Sequence, residues 1–343
     1  MEKMKLSIIL CAYNEQDSIK KCIEELLDQV INHLNIEIII IDNESKDQTY
    51  DIASDCIKNS SFKNIRLFSI EHCPLTGSRN FGLNAARGEY IAYVDADGYI
   101  MDNWLTKLIE NIQNDFDIFS GSVSINSSSS FFSKGIFYSH FLPSLESSKN
   151  KIIGANMAFK RSKLLSVKGF HTVPTGRGDE ILVFSLLKEK FKSLKIIYDK
   201  SCKVVNSYPH KVSIWLNQQI DEGRSGRKID DSIYKRIIKS IFKLPSFILP
   251  IIVLLDFFSN ISFNIYLILL QLLFIRHLFR FQYYSNSIQT GFNNLGIQYI
   301  LFFPILILGS IFLDVGYFIG LFDQRERNYS ISNPGKLLKK YPN

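Results

Sequence analysis

Apolar residues are distributed in two different ways along the chain. Up to about residue 240, short apolar runs alternate with polar stretches, as in a packed globular part. Further on, the apolar residues run together. Between Leu244 and Ile275 the single charge is Asp256, and between Ile297 and Phe322 it is Asp314. Fourteen of the 27 Phe lie between Phe242 and Phe322. The change in pattern places a boundary near Gly226, with a globular part at 1–226 and a membrane part at 227–343.

Within the globular part, Lys5–Cys11 and Glu37–Ile41 read as buried strands. Between them Ile19, Cys22, Ile23, Leu26, Leu27 and Val30 recur at helical spacing. A strand–helix–strand unit of this kind calls for a parallel sheet. The alternation continues with a helix around Tyr50–Ile57, a strand at Ile65–Ile70, a helix around Thr76–Arg87 and a strand at Glu89–Val94. The expected fold class is therefore α/β and doubly wound, with ligands bound at the carboxyl ends of the strands. Later come a loop at 125–150, rich in Ser and Asn, a last strand at Val204–Tyr208 and a helix at Val212–Gly223.

Composition agrees with this division. The chain has 343 residues, 46% of them hydrophobic and 21% charged, with net charge +7. Mean hydropathy is +0.04, the average expected of a soluble part joined to a membrane part. Disorder, collagen and a disulfide-stapled miniprotein are excluded. The opening MEKMKLSIIL has a basic start but reaches Asn14 and Glu15 without a small-residue cleavage site, so it reads as a strand rather than a signal peptide. Cysteines at 11, 22, 56, 73 and 202 show no CxxC spacing and read as reduced thiols, which places the globular part in the cytoplasm.

The Gly-rich phosphate signatures GxGxxG and GxxxxGK[ST] do not occur in this part of the sequence, which excludes dinucleotide and P-loop chemistry. Acids mark the strand ends instead: Glu15 after the first strand, Asp42 after the second, Asp95 and Asp97 after the fourth. Carboxylates at a sheet crevice suit a divalent cation with oxygen ligands, which in turn suits a diphosphate. In an extended segment Asp95 and Asp97 point the same way and can serve one ion.

These segments resemble glycosyltransferase family 2. Ser7–Glu15 resembles its opening strand and YNE turn, and Ile41–Thr49 its DDGSxDxT loop. Ser78–Gly88 followed by Tyr90–Asp97 resembles its RNxGxxxAxGxYIxxxDxD block. Gly154–Arg161, Gly169-Phe170 and Gly178-Asp179-Glu180 resemble its acceptor-side motifs. The likeness covers roughly residues 5–225 and implies the GT-A fold, a nucleotide-diphosphate sugar donor and Mg²⁺ or Mn²⁺. Through it, Ala12, Tyr13 and Glu15 would line the base and ribose pocket, and Asp42 would accept a hydrogen bond from the base. Arg79 would meet base or diphosphate, Asp95 the ribose or the metal, and Asp97 the metal. His210 would be a third metal ligand. The general base of an inverting transfer would be Glu180 by alignment or Asp179 by side-chain type, because the family's usual Glu-Asp order is reversed here. Asn43 replaces the family's commoner second Asp, a change expected to matter little because both side chains accept hydrogen bonds.

In the membrane part, Lys228–Lys243 reads as an amphipathic helix on anionic headgroups. Apolar runs at 240–258, 261–279 and 297–322 follow, then a basic tail. The positive-inside rule puts the tail in the cytoplasm with the catalytic part. Ends on one side require an even number of crossings against three apolar runs; either one run is re-entrant or interfacial, with Pro304 and Gly309 marking the third as the candidate, or the tail lies outside. The leading expectation is a multi-pass cell-membrane enzyme with a cytoplasmic catalytic domain and a lipid or lipid-linked acceptor, acting in cell-surface glycan synthesis. It would have no nucleic-acid partner, and its oligomeric state is left open. A processive polysaccharide synthase is disfavoured because Gln218–Arg224 lacks the QxxRW tryptophan. An inactive scaffold of a glycan assembly complex is disfavoured by the intact Asp42, Asp95 and Asp97.

Overall fold

In the computed structural model, residues 5–142, 152–171, 178–229, 243, 271, 281–322 and 338–340 are described. Strand β1 (Leu6–Ala12), helix α1 (Ile19–Val30), β2 (Ile36–Asp42), α2 (Thr49–Lys58), β3 (Ile65–Ile70), α3 (Leu75–Ala85) and β4 (Tyr90–Asp95) alternate as expected. Next come β5 (Tyr99–Ile100), α4 (Trp104–Gln113), β6 (Ile118–Ile125), α5 (Phe131–Ile136) with a π-helical turn at Phe137–Phe141, β7 (Asn156–Lys160) and α6 (Arg161–Ser166). Helix α7 (Asp179–Lys190), β8 (Ile196–Asn206) and α8 (Val212–Ile229) complete this part. The C-terminal elements are α9 (Phe281–Leu295), a 3₁₀ helix (Gly296–Phe302), α10 (Phe303–Phe322) and β9 (Leu338–Lys340).

One sheet runs in the order β5-β8-β6-β7-β4-β1-β2-β3-β9. β1 pairs in parallel with β2 and β4, and β2 with β3. These central strands are buried on both faces, which explains their near-continuous apolar runs. Along them side chains alternate between two cores. Ile8, Leu10, Ile38 and Ile40 pack with α1, through Ile19, Cys22, Ile23, Leu26 and Val30. Ile9, Ile39 and Ile41 pack with Phe81 and Leu83 of α3 and Val183 and Leu187 of α7.

Several expectations are corrected. The sheet is mixed rather than all parallel, because β7 runs antiparallel to both β4 and β6. The stretch read as a loop at 125–150 contains α5 and its π turn, with Ile136, Phe137 and Ser139 buried. Its serines are helix devices: Ser130 caps α5 by accepting from Ser133 N–H. The last strand starts at Ile196, eight residues early, because its exposed alternate positions give no apolar run. Helix α8 extends past Gly223 to Ile229, across the boundary placed near Gly226.

Of the apolar runs, 240–258 and 261–279 lie outside the described residues apart from Lys243 and Gln271. Ile300–Gly320 is long and apolar enough to cross a membrane and is the one such segment among the described residues; 44% of it is buried in the protein. It packs on α8 with backbones in contact. A Cβ at Gly316 would meet Ile220 O at 2.0 Å, and one at Gly223 would meet Leu313 O at 2.0 Å. Lys243, expected on a lipid-facing basic stripe, instead lies 3.5 Å from the buried Asp314 carboxylate and 4.2 Å from the Tyr317 ring centroid. A carboxylate inside an apolar helix needs such a counter-charge.

Candidate active site

The loops that leave β1, β2, β3 and β4 meet at one edge of the sheet. After β1 the chain turns through Asn14, held at φ 57°. Glu15 N–H then donates to Thr49 Oγ1 (2.7 Å) and Asn14 N–H to Ser45 Oγ (3.0 Å), so the YNE turn and the loop after β2 are laced together. Tyr13 emerges from this junction 40% exposed. Its ring lies 4.4 Å, centroid to centroid, from that of His72, which follows β3. Asp42 ends β2 and is buried. Its Oδ2 accepts from Ser45 N–H and Ser69 Oγ, each at 3.4 Å, while no group among the described residues donates to Oδ1. Burial pushes the Asp42 carboxyl up, and the bonds from Ser45 and Ser69 oppose the shift. Glu15 is likewise pushed up, by burial first and by the Asp95 charge among others, with Ser18 pulling the other way.

Asn43 does more than accept. Its Nδ2 donates to Cys73 O (2.8 Å) and its Oδ1 accepts from Cys73 N–H (3.0 Å). A carboxylate cannot make both bonds, so the expectation that Asn and Asp are equivalent here is corrected. The side chain of Ala12 belongs to the core, and its carbonyl accepts from Asn43 N–H (2.9 Å).

The second half of the site is built around Arg79 on α3. The side chain is 4% exposed. Nη1 donates to Asp179 Oδ2 at 2.6 Å, and Nη2 to Asp95 Oδ1 at 3.4 Å and to Gly154 O at 3.3 Å. The guanidinium also lies 5.4 Å from the Phe170 ring centroid. Arg79, expected to meet the base or the diphosphate, faces the carboxylates of Asp179 and Asp95. Burial works against its charge, and Asp179 and Asp95 more than reverse the effect, so it stays a fixed cation. The neighbouring Asn80 ties α3 to the acceptor side: Nδ2 donates to Phe170 O and Oδ1 accepts from Phe170 N–H, both at 2.8 Å.

Asp179 and Glu180 open α7 after Gly178, whose φ of 86° suits glycine. The Glu180 carboxyl packs against Gly154, where a Cβ would come within 3.5 Å of it. Burial, reinforced by the Asp179 charge and opposed by Arg79, raises Glu180 from 4.5 to about 7. The two candidates for the base thus have different environments: Asp179 is locked onto Arg79, and Glu180 sits where a proton can be taken near neutrality.

Asp95 and Asp97 flank the turn at the end of β4, braced by β8. Ser207 Oγ donates to Asp97 O (2.8 Å), and a Cβ on Gly98 would meet Val205 O at 2.2 Å. Both charges help raise the hydroxyl of the partly buried Tyr208, after burial itself. His210 stands exposed beyond β8. Among the described residues no group of three or more His, Cys, Asp or Glu is gathered to hold a metal, so His210 does not join Asp95 and Asp97. Two carboxylates two residues apart still form a hard oxygen donor pair of the kind that suits Mg²⁺ or Mn²⁺ retaining water and substrate oxygens. Sequence reading missed His72, and it gave Asn80 no role beyond its place in the RNxG block. His72 could have been found from its position two residues past the third strand, at the same sheet edge as Asp42.

Residues 7–170 match the family described as Glycosyl transferase family 2. An uncharacterized glycosyltransferase EpsJ of Bacillus subtilis is 37% identical over 114 residues, 33% of this chain and 32% of its own. A UDP-Glc:alpha-D-GlcNAc-diphosphoundecaprenol beta-1,3-glucosyltransferase WfaP of Escherichia coli is 39% identical over 113 residues, 31% of this chain and 39% of its own. The matches thus span about a third of these curated relatives. Among solved structures, a mannosyltransferase of Pyrobaculum calidifontis in complex with GDP-Man and Mn²⁺ superposes with a TM-score of 0.58 at 14% identity, over 94% of this chain and 88% of that one. That likeness concerns the fold, which is GT-A-like.

Proposed function

We propose that the chain is a metal-dependent inverting glycosyltransferase. It takes a sugar from a nucleoside-diphosphate donor and transfers it to an acceptor at the cytoplasmic face of the membrane, in cell-surface or lipid-linked glycan synthesis. The observation that carries this reading is the Arg79 cluster. One buried cation joins Asp95, at the end of β4, to Asp179, whose neighbour Glu180 is raised to about 7. Tyr13, His72 and the open acceptor of Asp42 form the base end of the same sheet edge. The relative named for transfer from UDP-glucose to a diphosphoundecaprenol-linked sugar supports the donor class and a lipid-linked acceptor.

In this mechanism Asp42 accepts from an N–H on the rim of the base, and Tyr13 and His72 give that base an aromatic platform. Asp95 and Asp97 would hold Mg²⁺ or Mn²⁺, which when bound neutralises the charge that develops on the leaving diphosphate. Glu180 takes the proton of the acceptor hydroxyl as its oxygen attacks the anomeric carbon from the face opposite the diphosphate. Asp179 holds Arg79, and Arg79 fixes Asp95 and the Gly154 turn against which Glu180 rests.

A thermal-shift screen of UDP-, GDP- and dTDP-sugars with and without Mn²⁺ tests the reading. One donor should raise the melting temperature, more so with the metal. The Asp97→Ala protein should stay folded and lose metal-dependent transfer; full transfer by that variant would exclude the metal role.

A further inference from the structure

Residues Phe281–Phe302 contain no Asp, Glu, Lys or Arg. Ile288 and Phe292 lie four residues apart on α9, on one face, and both are exposed. In the 3₁₀ helix, with three residues per turn, Ile297 and Ile300 share an edge. They are 77% and 56% exposed, and Leu301 beside them is 67% exposed. The opposite side of this segment is anchored. Phe302 is buried, its ring centroid 5.2 Å from that of Phe131 and 6.1 Å from that of Phe132, and a Cβ on Gly135 would lie 2.1 Å from its ring. Large apolar side chains are thus presented outward from a fixed support.

Charge identifies what covers them. From Phe257 to Leu313 there is no acidic residue, and the charged residues are Arg276 and Arg280, just ahead of α9. An uncharged apolar segment that follows basic residues in the sequence suits an anionic bilayer surface. The path of the chain points the same way. β9 pairs antiparallel with β3 of the catalytic sheet, so residues 338–340 lie on the catalytic side of any membrane. Had α10 crossed, the chain would have to cross again between 323 and 337, and that sequence, DQRERNYSISNPGKL, has no apolar run to do it. Meanwhile α10 lies against α8 and buries Asp314.

We infer that the face formed by Ile288, Phe292, Ile297, Ile300 and Leu301 docks into the headgroup–acyl boundary of an anionic bilayer, and that α10 lies beside the catalytic part instead of spanning. This rests on the membrane association proposed above and specifies which surface makes the contact.

The test uses the full chain reconstituted with phosphatidylcholine–phosphatidylglycerol vesicles. Ile300→Trp and Leu308→Trp are compared with Leu34→Trp, which is 84% exposed on the globular part. The native Trp104 and Trp215 are buried and supply the background. Lipids brominated near the top of the acyl chain should quench Ile300→Trp about twofold more than lipids brominated at the chain end, as expected of an element lying in the interface. Leu34→Trp should respond to aqueous acrylamide alone. Strongest quenching of Leu308→Trp by deep bromines would mean that α10 spans and would overturn the inference. So would an Ile300→Trp that is open to acrylamide, or one shielded from both quenchers, which would mean a protein cover. Sedimentation of the chain with the vesicles reads membrane association itself. If the chain fails to sediment, the parent reading falls as well; if it sediments with a water-exposed Ile300→Trp, this inference alone falls.

Discussion

Arg79 decides what the acids around it can do. Its 2.6 Å bond to Asp179 occupies that carboxylate, whereas Glu180 makes no bond to Arg79 and is raised to about 7. Transfer should therefore rise with pH in proportion to ionised Glu180 and level off above about 7. Glu180→Gln should lower the rate by about 10²–10⁴-fold and abolish that limb. Asp179→Asn should leave a limb but move it to lower pH, because the Asp179 charge is part of what raises Glu180. If the limb vanishes in Asp179→Asn and survives in Glu180→Gln, the roles are the reverse. Stability carries the opposite sign. The fold binds the Glu180 proton more tightly than the unfolded chain, so stability falls as pH rises from 4.5 to about 7, and Glu180→Gln should flatten that slope in denaturant titrations. A second residue-scale prediction concerns Asn43. Asn43→Asp removes the donor to Cys73 O and leaves two acceptors facing each other, which should destabilise by about 1–3 kcal/mol in urea unfolding. The acids at strand ends could be read from the sequence because each lies at or just past the end of an apolar run. Their partners could not: Arg79 and Asp179 lie 100 residues apart, Asn43 and Cys73 30 apart, and no local period encodes such a pairing.

At the level of elements, the hydrophobic period located β1 to β4 and the helices between them because each element buries a face at its own repeat. The same criterion failed for α5, where serines occupy cap and packing positions, and for β8, where only three of the eleven residues are buried. It also could not distinguish a membrane span from a helix that packs on protein, since both are apolar. In α10 small residues let the helix approach α8 closely. Gly309 lies under the Trp215 ring, and Gly316 against the backbone of Ile220 in α8. Because the obstacle at Gly316 is a carbonyl oxygen at 2.0 Å, no rotamer change can relieve it. Gly316→Ala should push the helices apart and cost about 1–3 kcal/mol, as overpacking does. Thermal unfolding in detergent would register the loss. An unchanged melting temperature would mean that α10 does not rest on α8.

On the scale of the whole molecule, the sheet ties the chain's late residues to its early ones. β3 would be an open edge, and β9 covers part of it by pairing Ser69 with Lys340 and Ile70 with Leu338. That pairing constrains topology more tightly than hydropathy can, because two strands sharing hydrogen bonds cannot lie on opposite sides of a bilayer. Counting apolar runs gave three, an odd number at variance with a cytoplasmic tail. Removing α10 from the count leaves 240–258 and 261–279, which can cross and return. A C-terminal epitope tag should then be cut by protease in inverted membrane vesicles and protected in intact spheroplasts, and a tag at the N-terminus should behave in the same way. If the two tags are cut from opposite sides, the number of crossings is odd; α10 then spans, the β3–β9 pair does not form in the membrane, and the interfacial face at 288–301 loses its geometric basis.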